Sequence, residues 1–575
     1  MLFRSTLGSS NGTLNAASGK TITYGGVVAG TGGLTKAGAG SLVLSGVNTY
    51  SGATTISAGA VSVTGSGSLG TVSGGAATYA GNIANSGTFT YSSSATQTFS
   101  GAISGTGTLT KDTSGSSTLT LSGTNTYTGT TTVTAGTIAV SADNNLGAAP
   151  GSLVADRLTL NGGTLQATSS FTMSSNRGIT LSSASTIAAD SGATMTYGGV
   201  VAGSGRLTKS GAGTLTMSGT NTYSAGTTVT AGTVSVSTDR NLGAVPGSAT
   251  ADHITLNGGT LAVTASVSLN ANRGITLDSN DGTISVPTGI SFTYPGVIAG
   301  SSGADFTKSG AGTLVLSGAN TYVGNTTISG TSSTISLTGT LGASSTPATY
   351  AGTISIGSGA VFSHASTNDQ VLTGDISGAG VVNKVTAASA STLTLSGANS
   401  SYTGVTTVSF GTVKITTDNA LGSSSSGQGT VVDSGATLEV SGSGTLNSAE
   451  PLTINGTSAT NGAVYFSETA TMSGTAAMAS ASKVNVASGK TGTLSGVVSG
   501  NFALTKDAAG TLALSGANTF AGTLTVTTGT LAVTGAGSLG SGSPNNFSSG
   551  IVNNAAFVYA SSSDQTLSEI GRAHV

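Results

Sequence analysis

Along most of this chain aliphatic side chains occupy every second position, with small polar residues between them. In Thr118, Leu119, Thr120, Leu121 and in Thr511, Leu512, Ala513, Leu514 the leucines share one parity. An extended strand therefore sends them to one face and the small residues to the other. One face is buried and the other meets water. The strands are short and separated by Gly-, Ser- and Asn-containing turns, and no long segment carries a 3.6-residue period. The pattern predicts an all-β protein.

That pattern is itself repeated. LTKAGAGSLVLSGVNTYSG (Leu34 to Gly52) returns as FTKSGAGTLVLSGANTYVG (Phe306 to Gly324), and further copies centre on Lys111, Lys209, Lys384 and Lys506. Only the copy containing Asn399 carries an extra turn residue, Ser401. Within the copies the leucine strand and the next strand are evenly spaced. Leu42 to Val61, Leu119 to Ile138, Leu215 to Val234 and Leu512 to Leu531 are each 19 residues, and Leu393 to Val413 is 20. A unit this short, repeated in this way, predicts a solenoid. Parallel stacking with right-handed crossovers then gives a right-handed parallel β-helix of about 19–20 residues per coil. The lysines lie 75, 98, 99, 76 and 122 residues apart, which reads as about four, five, five, four and six coils. Gly46, Gly52 and Asn48 are assigned to corners that require positive φ.

A second duplication has an offset of 96 residues: Pro150 to Leu165 returns as Pro246 to Leu261, and Asn176 to Leu181 as Asn272 to Leu277. Duplicated blocks of this kind lengthen a solenoid rather than build one special pocket. Residues 6–568 are accordingly expected to form a single continuous β-helical fragment. Residues 1–5 and 569–575 resemble translated sequencing adapter and are expected not to be native. Tyr91 to Ser100 resembles Tyr559 to Ser568, yet only the first runs on into a further repeat. On that reading the chain is an interior piece, and the lack of a leader carries no information.

Composition narrows the function classes. Of 575 residues 91 are Gly, and only 6% are charged, 17 basic against 19 acidic. Neither sign forms a run, so nucleic acid and anionic membrane surfaces are not expected partners. There is no Cys, which excludes disulfides and thiolate metal sites. No apolar stretch approaches the ~20 residues of a spanning helix, and membrane insertion by this segment is not expected.

The lysine phrase, its SGxNTYxG turn and the GTxxV strand that follows resemble the autotransporter-associated beta strand repeat, also called the passenger-associated transport repeat. The resemblance covers six places across most of the chain. It implies a β-helical passenger of a Gram-negative autotransporter, exported to the cell surface or secreted. It also implies an outer-membrane β-barrel translocator in the full-length chain, and a role as adhesin or stalk. The chain departs from a complete member in lacking both an export signal and a barrel. The surface ligand, protein or glycan, is not identified by the resemblance.

Candidate chemistry is sparse. His253 has Arg157 as its counterpart at the 96-residue offset, so it is read as an exposed strand or turn residue. His364, with Asp369 near it, could be written as a base and its partner, but is read as solvated. His574 lies in the adapter-like tail. Paired carboxylates for glycoside cleavage must stand ~5 to 9.5 Å apart, a spacing that Asp156 and Asp252, about five coils apart, do not meet. Asp143 and Asp239 are read as turn formers. An unrepeated set, Asp278, Asp281, Glu439, Glu450 and Glu468, has nothing linking its members. Asp278 to Gly282 resembles the start of a calcium loop but lacks the downstream Glu, so a plain turn is expected. The six repeated lysines are placed outside, where they would discourage strand pairing and keep the surface wet.

No catalytic, cofactor or metal residue is therefore assigned, and no enzyme activity is expected. Two alternatives to the non-catalytic passenger are a carbohydrate-active β-helix and a repetitive Thr-rich face binding ice or a polymer. The leucine spacing is expected to break the regularity that the second would need.

Overall fold

The structure, a computed structural model, describes residues 4–112, 116–300, 303–342, 345–385, 391–423, 429–442, 446–458, 460–540, 545–568 and 570–571. Its regular structure is β-strand, apart from two 3-10 turns at Asp143–Leu146 and Asp239–Leu242. The chain divides into two compact units, Met1–Gly282 and Thr283–Val575. Each is a parallel β-solenoid with turns averaging about 22 residues.

In the first unit one side begins with Gly12–Asn15, Leu34–Ala37, Thr54–Ile56, Ile83–Asn85 and Ile103–Ser104. A second side stacks Thr21–Tyr24, Ser41–Leu44, Ala60–Gly65, Thr88–Ser93, Thr108–Lys111, Thr131–Val133, Val154–Leu160, Arg177–Leu181 and Val201–Gly203. The third runs from Ala76–Tyr79 through Gln97–Phe99 and Thr118–Leu121 to Arg273–Leu277. An antiparallel hairpin, Thr71–Ser73 with Ala76–Tyr79, opens it. After Ile103–Ser104 the first side continues as irregular backbone. Thr126 N donates to Ile103 O (2.8 Å) and Ala148 N to Tyr127 O (3.1 Å). Thr194–Tyr197 and its neighbours then form a further sheet with Phe171–Met173.

Leu42, Val61, Phe89 and Leu109 occupy successive inward positions of the second side and are buried. Each such side chain contributes roughly 1.5–3 kcal/mol by leaving water. The 19-residue spacing from Leu42 to Val61 is observed, but the next turn, Val61 to Phe89, takes 28 residues, and Thr131 to Leu158 takes 27. The longer turns carry corner excursions, so repeat spacing alone undercounts the residues per turn.

The lysine intervals are corrected for the same reason. Lys36 stands on the first side; three turns later the chain steps one side onward and places Lys111 on the second. Four turns and one more step place Lys209 on the third. In the second unit Lys308 and Lys384 are separated by three turns plus one side. Five turns plus one side separate Lys384 from Lys506. Within each unit the repeat therefore advances one side per copy.

Gly46, Gly52 and Asn48 do not have positive φ. The left-handed residues sit instead in the turn after the lysine: Gly38 (77°), Gly211 (71°), Gly310 (75°) and Ala508 (65°). Gly46 and its equivalents are glycine because coils touch there. A Cβ on Gly219 would stand 1.9 Å from Gly199 O. We expect Gly219→Ala to cost about 1–3 kcal/mol in urea unfolding. Gly151→Ala, where nothing lies within 4 Å, should be close to neutral.

Candidate functional site

The most distinctive chemistry is inside. All six repeat lysines, Lys36, Lys111, Lys209, Lys308, Lys384 and Lys506, are fully buried, which overturns their expected place on the surface. Leu34 and Lys36 have the same parity in their strand and both point inward. Lys209 Nζ donates to Ser210 O (2.6 Å), Gly211 O (2.7 Å) and Ala231 O (3.3 Å). Lys36 meets Ala37 O, Gly38 O and Ala58 O at 2.9, 2.8 and 3.3 Å. Lys506 meets Asp507 O, Ala508 O and Thr528 O at 2.9, 2.7 and 3.1 Å. Lys308 replaces the third carbonyl by Ser333 Oγ (3.0 Å). The left-handed turn folds its carbonyls back toward the strand it leaves, and an ammonium with three N–H groups satisfies them together.

Burial lowers the pKa of all six lysines, to about 8 for Lys209, Lys308 and Lys506. Below pH 8 the ammonium is present in both folded and unfolded chains, and the folded state bears its desolvation. Between about pH 8 and 10.5 the folded chain has released a proton that the unfolded chain still holds, so stability rises with pH. The melting temperature of the wild type, relative to Lys209→Met, is expected to increase from pH 7.5 to 10.

Each NTY or NTF corner adds a second polar fixture. Asn48 Oδ1 accepts from Val28 N (3.1 Å) and its Nδ2 donates to Gly46 O (2.7 Å) and Ser68 O (3.1 Å), tying three turns together. Asn320 and Asn518 repeat the arrangement. The tyrosine hydroxyl beside it pairs with the threonine four residues on, as in Tyr50 with Thr54 (2.7 Å).

The isolated candidates resolve differently from expectation. His253 is 2% exposed, not a surface residue. The register shift between Thr250 and Ile254 turns it inward beside Ile254. Its Nδ1 lies 3.3 Å from Arg273 Nη1, and burial, with Arg273, holds its pKa down at about 4. Its counterpart Arg157 is also buried and donates to Tyr127 O (2.8 Å). His364 is fully buried rather than solvated, with a pKa lowered to about 3 chiefly by burial. Neither ring nitrogen has a hydrogen-bond partner among the described residues. Asp369 does not serve it; its Oδ1 accepts from Thr392 N (2.7 Å).

Asp143 and Asp239 open the two 3-10 turns and receive the buried guanidinium groups of Arg177 (3.1 Å) and Arg273 (2.9 Å). Sequence reading assigned them to turns and missed these arginines. Asp156 and Asp252 are exposed, Asp252 3.2 Å from Arg206. Asp278 caps its own turn, accepting from Ser279 N (2.8 Å), with Asp281 at φ 67°. Glu439 pairs with Lys414 (3.0 Å) and Glu468 with Lys490, whereas Glu450 is buried with one carboxylate oxygen unpartnered. Among the described residues no group of three or more His, Cys, Asp or Glu could hold a metal ion. No helix among them is long and apolar enough to cross a membrane.

The outer face of the first unit carries one column of single threonines, short of the Thr-x-Thr rows in every coil that a repetitive binding face would need, since the positions two residues on are Thr120, Ala139, Gln166, Ala188 and Ser210. Thr118, Thr137, Thr164, Thr186, Thr208, Thr228, Thr255 and Thr276 stack in register over eight consecutive turns of the first unit, each half-buried. The leucines that interrupt the threonines in sequence point into the core, so the column outside is unbroken.

Short parallel turns, a caged lysine and an asparagine-tied corner define a β-solenoid built from one recurring module. The passenger-associated-transport-repeat profile matches that module at residues 34–63, 114–140, 207–236, 306–330, 385–415 and 504–533. The chain is 31% identical over 485 residues to the adhesin BmaC autotransporter of Brucella suis biovar 1 (strain 1330), an alignment covering 74% of this chain and 13% of that protein. It therefore spans about an eighth of that relative's length. No solved structure matches it. The chain belongs to the passenger-associated-transport-repeat proteins and is an autotransporter passenger.

Proposed function

We propose that this passenger acts outside the cell as a non-catalytic adhesin, held at the surface or secreted after export through an outer-membrane β-barrel of the full-length chain. The observation that carries this reading is the similarity, over 74% of the chain, to an adhesin autotransporter. Residues 6–568 serve as one β-helical passenger segment. The buried lysines and Asp–Arg pairs fasten turns from within, which leaves recognition to the lateral surface. The threonine column gives that surface a hydroxyl-lined strip, edged by Arg206 at Thr228, suited to a hydroxyl-rich partner.

The experiment is surface display in a non-adherent Gram-negative host, with the chain placed between an export signal and a translocator barrel. Protease-accessible chain and binding to matrix or host cells above that of the barrel alone are expected. Thr186→Lys with Thr208→Lys should reduce binding at unchanged surface abundance. Display without any gain in binding would refute the adhesin role.

A further inference from the structure

The fifth repeat is the one that carries the inserted Ser401, and its interior differs from the others. In the first four copies the corner tyrosine and the threonine four residues on share a hydrogen bond: Tyr50 with Thr54, Tyr127 with Thr131, Tyr223 with Thr227, Tyr322 with Thr326, at 2.7–2.8 Å. In the fifth, Tyr402 accepts from Val382 N (3.1 Å) and donates to Val405 O (2.7 Å). The Thr406 hydroxyl makes no hydrogen bond of normal geometry among the described residues, although it lies near enough to the Tyr402 hydroxyl to pull that phenol's pKa down against the effect of burial.

The next two turns extend this. Thr430 lies in register with Thr406, and Thr430 N donates to Pro451 O (2.9 Å), next to Glu450. Thr406, Thr430, Ser448 and Glu450 are 1%, 0%, 1% and 3% exposed. The three hydroxyls and Glu450 Oε2 have no hydrogen-bond partner among the described residues. Burial raises the Glu450 carboxyl to about 8, with no cationic side chain opposing it, and the Glu450 charge helps raise the Tyr402 phenol.

Four polar groups left unpaired on adjacent turns are costly to bury. Hydroxyl and carboxylate oxygens are hard donors that suit alkali or alkaline-earth cations rather than transition metals. A single carboxylate balances one positive charge, and calcium sites usually gather more carboxylates than this.

We infer that Glu450, with the hydroxyls of Thr406, Thr430 and Ser448, forms an internal site for an alkali cation, taken up as these turns close. The cation does in the fifth repeat what an ammonium does at the lysine cages: it gathers buried oxygens around one positive charge. This inference is independent of adhesion.

The test uses the purified chain refolded in NaCl, KCl, RbCl or choline chloride at equal ionic strength. An alkali salt is expected to raise the melting temperature by about 2 °C or more over choline. The difference should vanish in Glu450→Gln, which keeps the side-chain shape without the charge. Crystals grown in RbCl should show an anomalous peak beside Glu450 Oε2. If the variant does not fold, the rubidium peak in the wild type decides alone. Equal melting in choline and every alkali salt, with no peak, would mean that Glu450 carries only a proton and would overturn the site.

Discussion

Replacing Lys209 with alanine is expected to lower the stability of its turns by about 2–5 kcal/mol, the range for truncating a long buried side chain to alanine. The loss has two parts. Ser210 O, Gly211 O and Ala231 O, which the ammonium satisfies, would be left without donors. The aliphatic stem would also leave a cavity in a side lined by Leu207 and Val229. Lys209→Met restores the stem but not the donors, so it should recover only part of the loss. A lysine on the solvated face would instead change stability by no more than about 0.5 kcal/mol. Urea unfolding of the full chain, with hydrogen exchange read at residues 207–213, separates these outcomes.

A comparable loss, about 3–5 kcal/mol, is expected for Arg273→Ala. Its guanidinium is fully buried; Nε meets Asp239 Oδ1 (2.9 Å), Nη1 Leu242 O (2.9 Å) and Nη2 Gly243 O (2.7 Å). Deletion strands a carboxylate whose side chain is only 19% exposed together with two carbonyls. Arg273→Lys should also be poorly tolerated, because an ammonium cannot present the planar fork that reaches all three groups. Deleting Asp239 as well should recover part of the loss, and a double-mutant cycle measures how much. The exposed Arg206–Asp252 pair is the control: with Asp252 66% exposed, its removal should change stability by about 0–1 kcal/mol.

These effects mark how far the sequence could be read. Alternation in Thr118 to Leu121 and the even spacing of the repeats were enough for a parallel β-solenoid, because a two-residue period leaves one choice of inward face. The same alternation held the signal for the lysines: Lys36 shares parity with Leu34 and therefore points inward. It was outweighed by the general rarity of unpaired buried lysine. Nothing local to Lys36 reveals that Ala58 O, one turn on, completes its cage. Gly46 and Gly52 were correctly marked as corner residues but for the wrong cause, since contact between coils leaves no periodic trace along the chain. His253 required knowledge of the bulge in Thr250–Leu256, and the arginine nests required knowledge of which turn lies above which. The unpaired Thr430, Ser448 and Glu450 groups were hidden for the same reason, although Ser401 flagged the repeat that holds Thr406.

Six lysines are folded into the interior of parallel coils, and their reactivity measures this directly. With an amine-acylating reagent at neutral pH and site-resolved mass spectrometry, Lys20, which is exposed, and Lys490, whose side chain is 37% exposed, should be modified rapidly. Lys36, Lys111, Lys209, Lys308, Lys384 and Lys506 should remain unmodified until the chain is unfolded in denaturant. Modification of these six at the rate of Lys20 in the native protein would contradict the account.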